Sequence, residues 1–348
     1  MVMRCVESAT FSFMNNNIPT GHIVLARGLR QGDPISPYLF LFVTKGLSAL
    51  LRAAETIGRI QGHQICLGAP LVSNLLFAND SIFFCKASVA QAEAMKEVLG
   101  VYVRVSGQAV NVQKSNMVFA KGNPPSCREE ILLILDMREV LSHEKYLGLP
   151  TFVGRSRKKL FLFIKDKISR KLSSWMDQLL SWAGREVLIK AVAQAIPTYA
   201  MSVFKLPTNL CNAIQSIINR FWWSHDPQRR RIHWVSSDRL CDKKDDGGLG
   251  FREMEAFNDA MLAKQVSRLL HEGNSLVHKI LKARYFPNGQ LMTAALGSKP
   301  RFMWRSLWGA WDIIQQGSRW LIGNGEKVKM WEDRWLPRPY SFNPVASG

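Results

Sequence analysis

The pattern of apolar and polar positions divides the chain near residue 150. Before that point, short apolar runs alternate with longer amphipathic stretches. After about residue 155, the pattern becomes helical, basic and rich in tryptophan. We therefore predict an α+β region over residues 1–150, followed by a helical region over 151–225 and a third region over 226–348.

Two helices are predicted within the first region. Asp33 offers an N-cap oxygen, and the ring of Pro34 already has helical φ, so the pair predicts a helix over Ile35–Arg52. A second helix is predicted over Ala90–Val105, and Ser106-Gly107 should end it.

A β-hairpin is predicted between these helices. Leu75–Ala78 and Ser81–Phe84 are two apolar runs of strand length, separated by Asn79-Asp80. Asn and Asp favour tight turns, so we expect both polar residues to lie at the tip of the hairpin.

The helical region begins with an amphipathic stretch in which apolar residues recur at helical spacing. Its cations are Lys158, Lys159, Lys165, Lys167, Arg170 and Lys171. We predict a basic amphipathic helix here, and further helices over Arg185–Ala195, Asn209–Trp222 and Ala256–His271.

Composition limits the class of partner. The 348 residues carry 46 Lys and Arg against 27 Asp and Glu, a formal net charge of +19. The electrostatic field of so large a charge favours a polyanion, and RNA and DNA fit best because neutralised phosphates release counterions.

The chain shows no sign of a membrane span, since no apolar run reaches the roughly 20 residues that a span requires, and we expect no membrane partner. Six cysteines without a C-x-x-C pair argue against disulfides and zinc, and we expect an intracellular chain.

One segment carries a strong family resemblance. Gly28–Phe40, GLRQGDPISPYLF, resembles the segment of reverse transcriptases that shapes the pocket for the template and the incoming nucleotide. The resemblance, which is to the plant LINE-type non-LTR retrotransposons, implies that Arg30, Gln31 and Gly32 contact a dNTP and the template-primer. The plainer alternative is a glycine-containing turn that caps an ordinary helix.

The hairpin carries the second resemblance. Leu75–Asp80, LLFAND, is similar to the family's hairpin with two adjacent aspartates, and the alternative is a plain hairpin. The family joins nucleotides with two Mg²⁺ ions held by aspartates. Here Asn79 replaces the first aspartate, which leaves Asp80 as the candidate metal ligand beside it. Mg²⁺ usually requires one or two carboxylates plus phosphates, so we expect weak binding.

A further aspartate of the family lies upstream of the Gly28 segment. In Met1–Arg27 the only acidic residue is Glu7, in a stretch that resembles the helix after the family's aspartate-bearing strand. We therefore expect part of the palm and its third carboxylate to be missing, and we expect no DNA synthesis.

The resemblance continues downstream. Ser106–Asn111 with Lys114 is similar to the next palm segment, in which a lysine helps to protonate pyrophosphate. Lys114 is therefore a candidate catalytic residue, and the alternative is a solvent-facing lysine. Tyr146–Pro150 resembles the palm-to-thumb junction, and the later tryptophan-rich segments resemble the thumb and the connecting region. The cations of the 158–171 helix are the candidate nucleic-acid contacts.

Three hypotheses remain at this stage. The chain is part of an RNA-directed DNA polymerase, a nucleic-acid-binding remnant without catalysis, or an unselected product of a decayed element. Asn79 and the absent upstream aspartate favour the second hypothesis over the first. The family and the Arg229–Arg231 run suggest the nucleus, although that run also suits a solvated loop.

Overall fold

The computed structural model describes most of the chain. The described residues are 10–24, 32–142, 145–150, 157–176, 180–224, 232–319, 321–324, 326, 328–330 and 334–336, without the side chains of 145, 150 and 157–160. The chain divides into two compact units, Met1–Glu144 and Lys145–Gly348. The assignment of palm, thumb and connecting region, including the boundary at residue 225, stays a prediction.

The first unit mixes helices with short sheets. Its elements are β1 Thr10–Asn15, β2 Ile18–Val24, α1 Ser36–Thr56, β3 His63–Gln64, β4 Leu71–Val72, β5 Asn74–Phe77, β6 Asp80–Phe83, α2 Val89–Ser106, a 3₁₀ turn Val112–Lys114, β7 Asn116–Met117, α3 Pro125–Leu135 and β8 Arg138–Glu139. The first six strands pair as antiparallel neighbours, and β7 pairs with β8 in parallel.

The core of this unit lies between α1 and α2. Leu47 and Leu51 of α1 pack with Met95 of α2, and Leu76 and Phe83 attach the β5–β6 hairpin to them. Burial of these apolar side chains is the main stabilising contribution to the unit.

The start of α1 differs from the predicted cap. Its N-cap is Ile35 and not Asp33, and the proline of its first turn is Pro37 and not Pro34. Asp33 acts just outside the helix, where its carboxylate accepts from the N–H of Ile35 at 3.0 Å and its carbonyl accepts from Ser36 at 3.1 Å. The helix begins at Ser36, one residue later than predicted. The predicted second helix is confirmed as α2, which ends at Ser106 and is followed by Gly107 with a φ of 68°.

The second unit is mainly helical. Its elements are β9 Lys145–Tyr146, β10 Leu149–Pro150, α4 Arg157–Met176, α5 Trp182–Leu188, a π-turn Ile189–Ala193, α6 Thr198–Met201, α7 Thr208–Trp223, α8 Ser237–Cys241, a 3₁₀ turn Lys244–Asp246, α9 Met254–His271, α10 Leu276–Tyr285, a 3₁₀ turn Leu291–Thr293, α11 Phe302–Trp308 and α12 Trp311–Gly317. Among the described helices of the chain, none combines the length and the apolarity needed to cross a membrane.

Two apolar clusters form the interior of this unit. The first lies mainly between α4 and α7, and the second lies among α9, α10, α11 and α12. Helix α9 belongs to both, because Met254 is buried in the first cluster and Leu262 and Val266 are buried in the second.

The prediction of a helix over Arg185–Ala195 is confirmed in part. Helix α5 begins earlier, at Trp182, and ends at Leu188, and a π-turn follows directly, in which the N–H of Gln194 donates to the carbonyl of Ile189 at 2.9 Å. Ile189 and Ala193, one turn apart, are both buried in the first cluster. The segment is therefore helical up to Ala193, but its last turn is wider than the α-helical repeat.

Asn258 fixes the loop between α6 and α7. Its side chain, 0% exposed, accepts from the N–H of Leu206 at 2.7 Å. It also donates to the carbonyls of Met201 at 2.9 Å and Phe204 at 3.0 Å. All hydrogen-bonding positions but one of this amide are therefore used within the interior, and the loop is tied to α9.

Candidate nucleic-acid interface

The β5–β6 hairpin positions the candidate metal ligand. Phe77 pairs with Asp80, so the two-residue tip is Ala78-Asn79 and Asp80 begins β6. The prediction that Asn79 and Asp80 together form the tip was therefore wrong by one residue. Packing of Leu76 against the α1–α2 core fixes this register, because a slip by one residue would reverse the faces of both strands.

Asp80 lies on the outer face of the hairpin. Side chains alternate along a strand, so Leu76 and Phe83 face the core while Phe77 and Asp80 face away from it. Phe77 is 60% exposed, and both Asn79 and Asp80 are exposed. The turn also places Ala78 at a φ of 48°, a conformation that residues with a β-carbon adopt at some cost.

This arrangement does not fit a magnesium site. Among the described residues, no group of three or more His, Cys, Asp or Glu side chains could hold a metal ion. Asn79 adds no charge to the single carboxylate of Asp80. Two cations a few ångströms apart need several carboxylates to offset their repulsion, so these residues alone do not support two-metal chemistry.

The other candidate substrate contacts are spread over separate elements. Gly32 has a φ of 87°, which explains the requirement for glycine, and a β-carbon there would meet open space. Arg30 and Gln31 lie outside the described residues. Lys114 ends the 3₁₀ turn of the first unit and is exposed, and its N–H donates to the side chain of Asn111 at 3.1 Å. Its contacts are thus local, as the solvent-facing alternative expects.

Helix α4 is amphipathic, and one of its faces packs into the interior of the second unit. Its apolar residues Phe161, Ile164, Ile168, Leu172 and Met176 are all buried in the first cluster of the second unit. This stripe recurs every three or four residues, as a helix packed on one side requires.

The exposed side of α4 is mainly cationic. Lys167, Arg170 and Lys171 are exposed there together with Asp166, whereas Lys165 is half-buried beside the apolar stripe, and the side chains of Lys158 and Lys159 lie outside the described part. Among the described residues, none of these four cations forms an ion pair with a carboxylate. Their charges are therefore available to an external anion.

Charge is distributed unequally between the two units. Residues 1–144 contain 13 Lys and Arg against 11 Asp and Glu, whereas residues 145–348 contain 33 against 16. Almost all of the net positive charge therefore belongs to the second unit. We therefore expect the residues of the second unit to contribute most of any electrostatic attraction for a polyanion.

Some lysines of this unit serve internal ion pairs. One carboxylate oxygen of Glu186 lies 2.8 Å from the ammonium groups of both Lys190 and Lys244. These two hydrogen bonds lower the pKa of Glu186 below its ordinary value. The two lysines thus differ from the cations of α4, which have no such partner.

Sequence reasoning missed a second set of cations. Arg284, Arg301 and Arg305 are exposed on the module formed by α10 and α11. Arg284 lies near the end of α10, whereas Arg301 and Arg305 lie one turn apart at the start of α11, so no single periodic signal connected the three. Only the fold shows that they lie near one aromatic stack, through Tyr285.

Comparison with known proteins places the chain in a plant protein family. No protein-family model matches it. Over 143 residues it is 42% identical to an uncharacterized mitochondrial protein of Arabidopsis thaliana, AtMg00310, covering 41% of this chain and 93% of that protein. The chain therefore belongs to the family of AtMg00310.

Two further Arabidopsis thaliana proteins are similar over smaller shares. A protein with the provisional name ribonuclease H protein At1g65750 is 32% identical over 193 residues, which cover 54% of this chain and 31% of that protein. A second uncharacterized mitochondrial protein, AtMg01250, is 46% identical over 69 residues, covering 20% of this chain and 57% of that protein. The chain thus spans less than two thirds of either relative.

Proposed function

We propose that this chain is a nucleic-acid-binding protein derived from the reverse transcriptase of a plant LINE-type retrotransposon, and that it lacks polymerase activity. The observation that carries the proposal is the set of cations on α4, three exposed and one half-buried, on a unit that holds nearly all of the net charge. Among the described residues Lys165, Lys167, Arg170 and Lys171 form no ion pair with a carboxylate, so none of them must give up such a partner to bind a phosphate.

The resemblance of Gly28–Phe40 and Leu75–Asp80 supports the reverse-transcriptase origin. Similarity to a protein whose name refers to ribonuclease H agrees with it, because that domain often accompanies such transcriptases in plant elements. The single carboxylate at the hairpin supports the absence of catalysis. RNA and DNA are the proposed partners, and Mg²⁺ and dNTP binding should be weak.

Binding is tested by titrating a labelled single-stranded RNA with the full chain at several salt concentrations. Log affinity should fall linearly with log salt, with a slope of about 0.7 for each neutralised phosphate of a single strand. Replacing Lys165, Lys167, Arg170 and Lys171 together by Gln should reduce that slope by about 2 to 3, since four contacts are removed.

A matched control changes the same amount of charge elsewhere. Lys45, Lys86, Lys96 and Lys121 are exposed lysines of the first unit, and their replacement by Gln also removes four charges. This control should keep most of the affinity. Equal losses in both variants would show that net charge alone drives binding, and an affinity that does not depend on salt would refute the proposal.

We propose the nucleus as the compartment, on the basis of the family resemblance. The names of two relatives refer to mitochondria, so the mitochondrion is the alternative compartment. Expression of the chain with a fluorescent tag in plant cells, beside nuclear and mitochondrial markers, distinguishes the two locations.

A further inference from the structure

The segment that contains α10, α11 and α12 has a charge imbalance of its own. Between Gly273 and Arg319 the chain contains seven Lys and Arg, and the single acidic residue is Asp312. Family resemblance gave this region no role. A cationic surface of this kind requires a physical explanation, because like charges held on one small module repel one another.

Two arginines contact Tyr285, and a third lies one helical turn beyond the second. The guanidinium carbon of Arg284 lies 5.7 Å from the centre of the Tyr285 ring. The backbone N–H of Arg301 donates to the hydroxyl of Tyr285 at 3.2 Å, and Arg305 follows Arg301 by one helical turn, joined by a backbone hydrogen bond of 3.0 Å. Residues from two helices are thereby brought to one place.

The aromatic stack gives this surface a rigid base. The ring of Tyr285 stacks on Trp304 with centroids 4.6 Å apart and planes 7° apart. Trp304 is fully buried in the second cluster, and it also contacts Phe286 and Trp311. Tyr285 therefore cannot reorient without disturbing the core, and the positions anchored to it are preorganised.

The polar groups around Tyr285 are available to an anion. Arg284, Arg301 and Arg305 are exposed, and none forms an ion pair with a carboxylate of the described residues. The Tyr285 hydroxyl accepts from Arg301, while its own proton has no acceptor among the described residues. Guanidinium groups bind phosphate oxygens through paired, charge-assisted hydrogen bonds, and a phenolic O–H can donate one more.

We infer that Arg284, Arg301, Arg305 and the Tyr285 hydroxyl, here called the Tyr285 cluster, bind the phosphate backbone of a nucleic-acid strand. This inference rests on the proposed function and extends it, because it assigns a second contact surface in addition to α4. A strand that engages both surfaces gains affinity, since the second contact becomes intramolecular once the first has formed. The chemistry is arginine-based at the cluster and mainly lysine-based on α4.

The test uses the full chain and a single-stranded RNA long enough to reach both surfaces. Replacing Arg284, Arg301 and Arg305 together by Gln should lower the affinity about tenfold or more and reduce the salt slope by about 2, as three lost single-strand phosphate contacts require. Replacing the same three residues by Lys keeps the charge but removes the bidentate fork, so that variant should be intermediate. The matched control, Lys45, Lys86 and Lys121 replaced by Gln, should remain within about twofold of the unmodified chain.

The possible outcomes separate this inference from the proposed function. If the unmodified chain binds no RNA, the proposed function fails. If it binds and the α4 variant is weakened while the Gln variant of the cluster behaves as the matched control, only this inference fails. Full affinity in the Lys variant would overturn the role of the guanidinium forks. Polyglutamate and unlabelled RNA, at the same number of negative charges, can be compared as competitors for the labelled RNA. If polyglutamate displaces it equally well, phosphate is not the preferred ligand. Unchanged far-ultraviolet circular dichroism and tryptophan fluorescence verify that each variant is folded.

Discussion

Replacement of Asn258 by Ala should strongly destabilise the second unit. The side chain forms three hydrogen bonds, to the N–H of Leu206 and to the carbonyls of Met201 and Phe204, at 2.7, 2.9 and 3.0 Å. Ala would leave these backbone groups without a partner in an interior where Leu206 and Met201 are almost completely buried. At roughly 1 kcal/mol or more for each lost bond, the free energy of unfolding should fall by about 3 to 5 kcal/mol.

Tryptophan fluorescence during urea unfolding measures this change in the free energy of unfolding for the second unit alone. All 11 tryptophans lie within residues 145–348, so their signal reports only that unit. For a unit of this size, about 3 kcal/mol corresponds to a decrease of about 10 °C in the thermal midpoint. The control is Asn212→Ala on the exposed side of α7, which should change the free energy of unfolding by less than about 0.5 kcal/mol.

Asn258→Asp provides an independent check with a defined sign. An ionised carboxylate can still accept from Leu206, but its second oxygen would face the carbonyls of Met201 and Phe204. This repulsion and burial would raise the folded-state pKa of the new carboxyl, so the destabilisation should decrease as the pH is lowered through that pKa. A stability of Asn258→Ala within about 1 kcal/mol of the unmodified protein would refute the reasoning, because it would mean that the loop re-forms its bonds elsewhere.

Three other predictions follow from individual residues. Arg185 is buried and donates to the last carbonyls of α7, so Arg185→Met should lower the urea midpoint and Arg185→Lys should restore little of it. Primer extension on an RNA template should be undetectable, and Asn79→Asp should not rescue it, because the second carboxylate at the hairpin does not complete a set for two metal ions. Burial, the largest cause, raises the pKa of both Cys211 and Cys241 to about 11, so their alkylation at mildly basic pH should be slow. The same raised pKa values predict that stability is full below about pH 9 and falls as the pH rises toward 11, which urea unfolding across that range measures.

The helices that pack along one continuous stripe could be predicted closely from sequence. The prediction for α2 and that for α7 each differ from the structure by one residue at either end. Both helices bury a regular repeat of apolar side chains, and α7 buries seven residues along its 16. Where local spacing and tertiary packing agree, the pattern alone suffices.

Features set by distant residues could not be predicted. The register of the β5–β6 hairpin depends on contacts of Leu76 and Phe83 with α1 and α2, and nothing in the local spacing of apolar residues indicated the π-turn after Leu188. Asn258 lies inside a correctly predicted helix, and nothing in its neighbourhood indicates that its amide reaches a loop more than 50 residues earlier. Such positions require knowledge of which elements meet.

The candidate site was only partly predictable for the same reason. The cationic face of α4 follows directly from helical spacing, and the structure confirms that the helix is amphipathic. The Tyr285 cluster joins residues from two helices through one aromatic ring, so its members share no pattern in the sequence. Periodicity detects sites on a single element, whereas sites assembled from several elements become visible only in the fold.

Catalysis and binding place different demands on a chain of the proposed origin. Two-metal chemistry depends on a few carboxylates in one geometry, so Asn79 in place of the aspartate that the resemblance implies is enough to impair it. Binding to phosphates depends on many cations that contribute in small, similar steps, and the second unit holds 33 of them. Loss of any one cation should change affinity only modestly. On the proposed origin, a chain that accumulates substitutions would therefore lose polymerase activity before it loses its attraction for nucleic acid.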